Sequence, residues 1–402
     1  MALLEDILIP KALLSAPEGF GGSPQGDCLR GNLVVRGNRA VGLEVSPPST
    51  SPRMVIPALS EAHCHLDKCY SIERLGDVGG DLTHALTAMR RDKANWTATD
   101  IRNRMVKGLT EAQGTGCGQL RSHIDWSDEI TAPLAWSVLD ELAQDNSMQV
   151  QLAALTGIDQ MADNDVCDGI AREVVRTANG VLGAFLLNHS KMHKGLRNIF
   201  AAATQYGLPL DFHVDEGLGD FNGLELICDV ALETGFEGPI LCGHAVSLAD
   251  KSGGDLDRII DKLARAGIAI CALPTTNLYL QGRRDGTPDR RGITRLRELE
   301  AGGVPVLIGS DNVADAFCPL GQHDPRAALH LAALAAHLDP PMGRWLPSIT
   351  TDASKAMGLD VCFIDAAPLE RLRICDATST ADLVAGRAPL LELSNFLEVP
   401  SL

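Results

Sequence analysis

The sequence predicts an α/β fold, a (β/α)8 TIM barrel with a small β domain formed by the N- and C-terminal segments. Three observations lead there. From about residue 54, short apolar runs alternate with longer amphipathic stretches, the pattern of βα units built on a parallel sheet. Eight such runs can be placed, the number that closes a barrel. The flanking segments, 1–53 and 357–402, carry short β-like runs, the first of them among many Gly, Pro and Ser.

The eight expected strands are 54–62, 117–124, 149–155, 181–187, 208–213, 240–244, 268–273 and 304–308. Helix-like stretches fall between them at 97–113, 132–143, 168–178, 224–233, 256–266 and 294–301, and two more follow at 325–337 and 348–356. The barrel is therefore expected over 54–356. Runs at 6–9, 31–36 and 40–45 are expected to join the C-terminal tail in the accessory β domain.

Composition narrows the function. With 402 residues, 45% hydrophobic and 22% charged, the chain can bury a large core. A net charge of −17 repels phosphate backbones and anionic bilayers, so neither nucleic acid nor membrane is an expected partner. The eleven cysteines, scattered and odd in number, fit reduced thiols, and the first ten residues carry Glu5 and Asp6 where a signal peptide is basic. The expected location is cytoplasmic, and no run approaches the roughly 18 apolar residues of a membrane helix.

Polar residues follow four of the apolar runs, and on a barrel the C-terminal ends of strands carry the chemistry. His63 and His65, two apart on a strand, face the same way and can reach one metal. His213 ends the fifth run, with Glu216 just beyond it, where a carboxylate can move a proton between water and a leaving group. His244 ends the sixth run and Asp311 follows the eighth. Taken singly, each has a plainer reading: surface histidines, a solvated loop acid, a core histidine, a turn cap. Their joint placement, three His and one Asp at strand ends, favours a site for one divalent metal ion.

These residues resemble the amidohydrolase superfamily, and within it the bacterial cytosine deaminase group. The resemblance covers about residues 54–330. Its most specific stretch is 274–321, with Asn277, Leu280-Gln281-Gly282-Arg283, Arg290-Arg291-Gly292-Ile293-Thr294-Arg295, Gly309, Asp311 and Pro319-Leu320-Gly321. It implies a barrel of the amidohydrolase type with His63, His65, His213 and Asp311 as ligands of one zinc or iron ion. By the same resemblance Glu216 is the proton shuttle, His244 orients the attacking water, and Asp311 supports it. The implied reaction is hydrolytic deamination of a small-molecule heterocyclic substrate, a pyrimidine such as cytosine or a fused ring such as a pterin, with release of ammonia.

The sequence also departs from that group. Thr156 and Gly157 stand where a Gln reads the pyrimidine edge, and Asn312 replaces a second Asp after Asp311. Both changes point away from cytosine itself and toward a larger ring, since a buried group left without its partner costs about 1–3 kcal/mol. Lys68, near the first ligands, is a candidate for a substrate carbonyl or carboxylate. No Lys stands at the end of the fourth strand, where Asn188 and His189 are found and Lys191 lies further out, so a carbamate-bridged pair of metals is not expected. An N-dealkylating or cyclic-amide hydrolase of the same superfamily would use the same ligands, and a catalytically silent binding protein would use none. Homo-oligomerisation is possible, but no interface can be read from the sequence.

Overall fold

A computed structural model describes residues 2–45, 47, 51–76 and 78–396. Strands β1 (Ala2–Pro10), β2 (Ser23–Gln25), β3 (Cys28–Arg36), β4 (Arg39–Glu44) and β5 (Arg53–Pro57) open the chain. The next eight strands are β6 (Leu59–Cys64), β7 (Cys117–Asp125), β8 (Gln149–Gly157), β9 (Gly180–Leu186), β10 (Leu210–Val214), β11 (Ile240–His244), β12 (Ala269–Ala272) and β13 (Val306–Ile308). Among the described residues these eight pair in chain order, β6 through β13, all parallel. The ring closes where the Asp311 N–H donates to the His63 carbonyl (2.9 Å). Glu61 staples that seam, accepting from the backbone N–H of His63 (3.0 Å) and of Ser310 (3.1 Å).

Helices cover the outside of the ring. After β6 come α1 (Ile72–Leu75), α2 (Leu82–Lys93) and α3 (Ala98–Gly114), and then one helix follows each strand from β7 to β11: α4 (Leu134–Gln144), α5 (Asn164–Val175), α6 (Met192–Tyr206), α7 (Gly223–Thr234) and α8 (Gly253–Ala266). Between β12 and β13 lie α9 (Pro274–Leu280) and α10 (Leu296–Ala301), and α11 (Pro325–Ala336) follows. Their boundaries have local causes. Thr97 caps α3 by accepting from the Asp100 N–H (3.2 Å), and left-handed Gly207, Gly235 and Gly267 end α6, α7 and α8. Among the described residues, no helix is long and apolar enough to cross a membrane.

The two termini meet as expected. Strands β14 (Leu372–Cys375) and β15 (Leu391–Glu392) join the first five in a second sheet of order β15-β14-β5-β1-β3-β2, with β4 on β3. Two expectations need correction. The run 54–62 is two strands: β5 pairs antiparallel with β14 in the terminal sheet, and the barrel begins only at Leu59. Local pattern hides the break, because both halves are buried and the apolar residues 54–59 run across it. The stretch 348–356 is no single helix either; a 3-10 helix over Met342–Ile349 contains Pro347, whose missing N–H prevents α continuation, and a short helix follows at Thr351–Ala356.

Candidate metal centre and active site

The barrel brings His63, His65, His213 and Asp311 together. The Nε2 of His213 lies 3.1 Å from the Nε2 of His63 and 3.1 Å from that of His65. Asp311 Oδ1 stands 3.3 Å from His65 Nε2 and 3.6 Å from His63 Nε2. A four-coordinate ion with ligand bonds of about 2.0–2.1 Å holds its donors about 3.3–3.4 Å apart. The spacing found matches that edge. Neither Asp311 oxygen makes a hydrogen bond to the described residues, although both are buried. The donor set thus fits a borderline divalent cation, with N and O ligands and an uncompensated carboxylate.

Burial sets the protonation of these groups. It pulls His63 and His213 well below the ordinary histidine range, helped by the neighbouring imidazoles, and it lowers His65 together with the Lys68 charge. The rings are therefore neutral, the form that binds metal. For Asp311 burial works the other way, but the adjacent His65 and His244 rings outweigh it and hold the carboxyl below its usual value.

Local chemistry aims each side chain. His63 packs so closely on β11 that a Cβ at Gly243 would stand 2.7 Å from its ring, which explains the glycine before His244. Asp215, in the motif with His213, is structural. Its carboxylate accepts from the N–H groups of Gly223 (3.0 Å) and Leu224 (3.3 Å), capping α7, and from the Ser247 hydroxyl (3.0 Å). With φ of 52° at Asp215, 71° at His244 and 65° at Asp311, the chain turns left-handed at three non-glycine residues around the centre, a strained arrangement typical of functional sites.

Glu216 and His244 stand beside the metal cluster, His244 Nε2 being 3.6 Å from Glu216 Oε2. Burial raises the Glu216 carboxyl above its ordinary value, bringing it toward the working range of a proton shuttle. The long stretch 274–321 holds this pair. Asn277 Oδ1 is bonded to His244 Nδ1 (3.0 Å), the Gln281 amide donates to the Glu216 carbonyl (3.1 Å), and the Thr294 hydroxyl donates to the His244 carbonyl (2.6 Å).

His65, His213, Glu216, His244 and Asp311 all line one cavity of about 460 Å³, within the size range of small-molecule sites, about 300–1,000 Å³. Of the four expected substrate-binding residues, Lys68, Gly157 and Asn312 line it as well. Thr156 does not; its buried hydroxyl donates to the Gly183 carbonyl (2.7 Å) on the next strand. Gln160, a few residues on, lines the wall instead, its amide donating to the Ser127 carbonyl (3.0 Å). The Lys68 ammonium is already engaged, 2.6 Å from Asp125, which also pairs with Lys93. His189 and Lys191 are exposed and outside the cavity.

Two parts of the site are not among the sequence-based expectations. His123, near the end of β7, offers a ring nitrogen within 4.8 Å of donors on His63, His65 and His213, and its ring centroid is 4.0 Å from that of His63. A signal for it exists: Gln119, Arg121, His123 and Asp125 alternate along β7, a polar inward face within an apolar run. Helix α2 is the other. Asp81 caps it, and Leu82, Ala85, Leu86 and Met89 recur at helical spacing; Leu82, Leu86, Met89, Arg90 and Lys93 roof the cavity.

Known proteins resemble this chain in sequence and in fold. The model of the amidohydrolase family matches residues 123–362. A pterin deaminase from Rhizobium rhizogenes is 35% identical over 360 residues, covering 85% of this chain and 80% of that protein. Among solved structures, 5-methylcytosine deaminase from Klebsiella pneumoniae liganded with 5-fluorocytosine superposes with a TM-score of 0.79 at 21% identity, covering 97% of this chain and 95% of the other. N-isopropylammelide isopropylaminohydrolase from Burkholderia multivorans superposes with a TM-score of 0.73 at 20% identity, covering 97% of each chain.

Proposed function

This chain belongs to the amidohydrolase family, and from that premise we propose that it hydrolytically deaminates an amino-substituted N-heterocycle, a pterin-like fused ring in preference to a single pyrimidine. The observation that carries the proposal is the pairing of Glu216 with His244, 3.6 Å apart, at the edge of the His63, His65, His213 and Asp311 cluster and open to the same cavity. Two points favour the fused ring: the 35% identical relative is a pterin deaminase, and the wall surfaces of Phe185, Leu187 and Phe317 are apolar.

A divalent cation held by the cluster, one zinc or iron ion, supplies acidity to water, lowering its pKa toward about 7. Glu216 Oε2 takes the proton as water adds to the ring carbon bearing the amine, and hands it to the adjacent ring nitrogen. It then carries a second proton to the departing amine, so that the C–N bond breaks, a C=O bond forms and ammonia leaves. His244 Nε2, with Nδ1 bonded to Asn277, is placed to hydrogen-bond the attacking oxygen. Asp311 contributes charge that supports the attacking water. All eleven cysteines are free, which supports the cytoplasm as the place of work.

The test is ammonia release from pterins, cytosines and aminopurines by protein loaded with zinc or with iron. Turnover of at least one pterin is expected, and Glu216→Gln should lower it by about 10²–10⁴-fold while metal content stays constant. Release of an alkylamine from N-alkylated rings, with no ammonia from any member of the panel, would replace deamination by dealkylation.

A further inference from the structure

The loop after β13 contains a buried carboxylate with no part in the chemistry described above. Asp315 is fully buried, and its Oδ1 accepts the backbone N–H groups of Phe317 (2.8 Å) and Cys318 (3.0 Å). Its Oδ2 accepts from the side-chain amide of Asn312 (2.7 Å). An ionised carboxylate has no proton to give, so the Asn312 NH2 group must face it and the Asn312 carbonyl oxygen must face the other way. That oxygen accepts no hydrogen bond from the described residues, while Asn312 lines the cavity beside Asp311 and Glu216.

We propose that Asp315 is a positioning residue that locks the Asn312 amide in one orientation, making Asn312 a neutral, acceptor-only reader of an N–H group on the substrate ring. The inference rests on the deaminase reading and deepens it, by naming the polarity of the ring edge that the enzyme accepts. It also changes what the Asn at this position means. A free amide could turn to suit either a donor or an acceptor, so taken alone it specifies neither. Locked by Asp315 it keeps the hydrogen-bonding sense of a carboxylate but without the charge, and so suits an uncharged lactam N–H. The same carboxylate fixes the backbone of Phe317, which lines the cavity as well.

Two ring systems make the test. Pterin presents a ring N–H next to a carbonyl, whereas 2,4-diaminopteridine presents a bare ring nitrogen next to an amine, with almost the same shape. Assays at pH about 8 keep the Asp315 carboxyl, which burial pushes up to about 7, in its ionised form. The wild type should favour pterin in kcat/KM by about 10- to 100-fold, the usual penalty for a mismatched buried polar pair. In Asp315→Asn the two backbone N–H groups still find an oxygen, and the new NH2 donates to the Asn312 carbonyl. Asn312 then turns its own NH2 into the cavity, and the preference should shrink or invert. Asn312→Leu should bring the two substrates to within a few-fold of each other.

A merely structural Asp315 would give a different pattern. Both substrates would lose the same factor in Asp315→Asn, and that result overturns the proposal, as does equal kcat/KM for the two in the wild type. Proton exchange at the Asn312 side-chain amide, followed by 1H–15N NMR, needs no turnover. Slow exchange in the wild type and fast exchange in Asp315→Ala are expected; equally fast exchange in both would sink the lock. If neither pteridine releases ammonia, the deaminase reading loses its pterin substrate, and the exchange measurement still decides whether the lock exists.

Discussion

Two polar layers lie within the same barrel, two residues apart on β10, where Asp211 belongs to one and His213 to the other, and they are built in opposite ways. The deeper layer, Arg121, Gln151 and Asp211, is largely bonded within itself, only Asp211 Oδ1 among these three side chains lacking a hydrogen bond to the described residues. Arg121 donates to Gln151 (2.9 Å), to Asp211 (2.7 Å) and to the Met357 carbonyl (2.9 Å), and the Gln151 amide reaches that carbonyl as well (3.2 Å). The upper layer, His63, His65, His213 and Asp311, converges its donors and leaves both Asp311 oxygens without hydrogen bonds to the described residues. Burial is equal in the two, so burial alone does not mark a site. The convergence of several ligand atoms on one point does, since an unpartnered buried group such as His323 can also stand alone.

His123 belongs to both layers. Its Nε2 lies 2.9 Å from Asp211, and its ring packs on His63. The deeper layer therefore acts as the floor on which the upper one stands.

The sharpest way to break this contrast is to delete one member of the upper layer. His213→Ala should lower metal affinity by more than about 100-fold, beyond the 10–100-fold typical of losing an outer partner, with a metal-free melting temperature close to that of the wild type. Metal content by elemental analysis and melting without metal check it, and a variant that still binds stoichiometric metal would remove His213 from the ligand set.

Deleting a member of the floor should have the reverse signature. Arg121→Met leaves Asp211 buried without its main partner, and breaking a buried pair in this way costs about 3–5 kcal/mol. Denaturant unfolding of the metal-free protein measures it. A loss below about 1 kcal/mol would mean that the floor is not the stabilising layer.

The effect that is smallest at neutral pH concerns His323, a buried imidazole in neither layer whose two nitrogens have no hydrogen-bond partner among the described residues. Burial pulls its pKa from 6.5 down to about 3. Between those values the unfolded chain binds a proton that the folded chain refuses, so the stability due to this group is complete above pH about 6.5 and is lost as pH falls toward 3. His323→Leu should remove that dependence, flattening the stability curve of the metal-free protein by up to about 1.4 kcal/mol per pH unit across the window. An unchanged slope would show that the ring is solvated in solution.

Much of the site was legible because its residues end apolar runs. His63, His65, His213, His244 and Asp311 each follow a buried strand or end one, and period-two geometry turns His63 and His65 to the same side. His123 was hidden because an apolar reading of 117–124 passes over its alternating polar face. Thr156 was misplaced because facing the cavity or the neighbouring strand depends on register and on the turn after β8, and an aligned position carries neither. The division of 54–62 at Ala58 was equally invisible, since the apolar residues 54–59 run straight across it.

What the sequence by itself determined is the kind of fold and the chemical identity of the donors, because periodicity and residue type are local properties. Tertiary structure alone decided which donors share a point, that Asp215 caps a helix while Glu216 enters the cavity, and that Asp315 turns Asn312 to one side. Those outcomes depend on hydrogen bonds between residues brought together by the turns and strands around them, and orientation is set only once the barrel has closed.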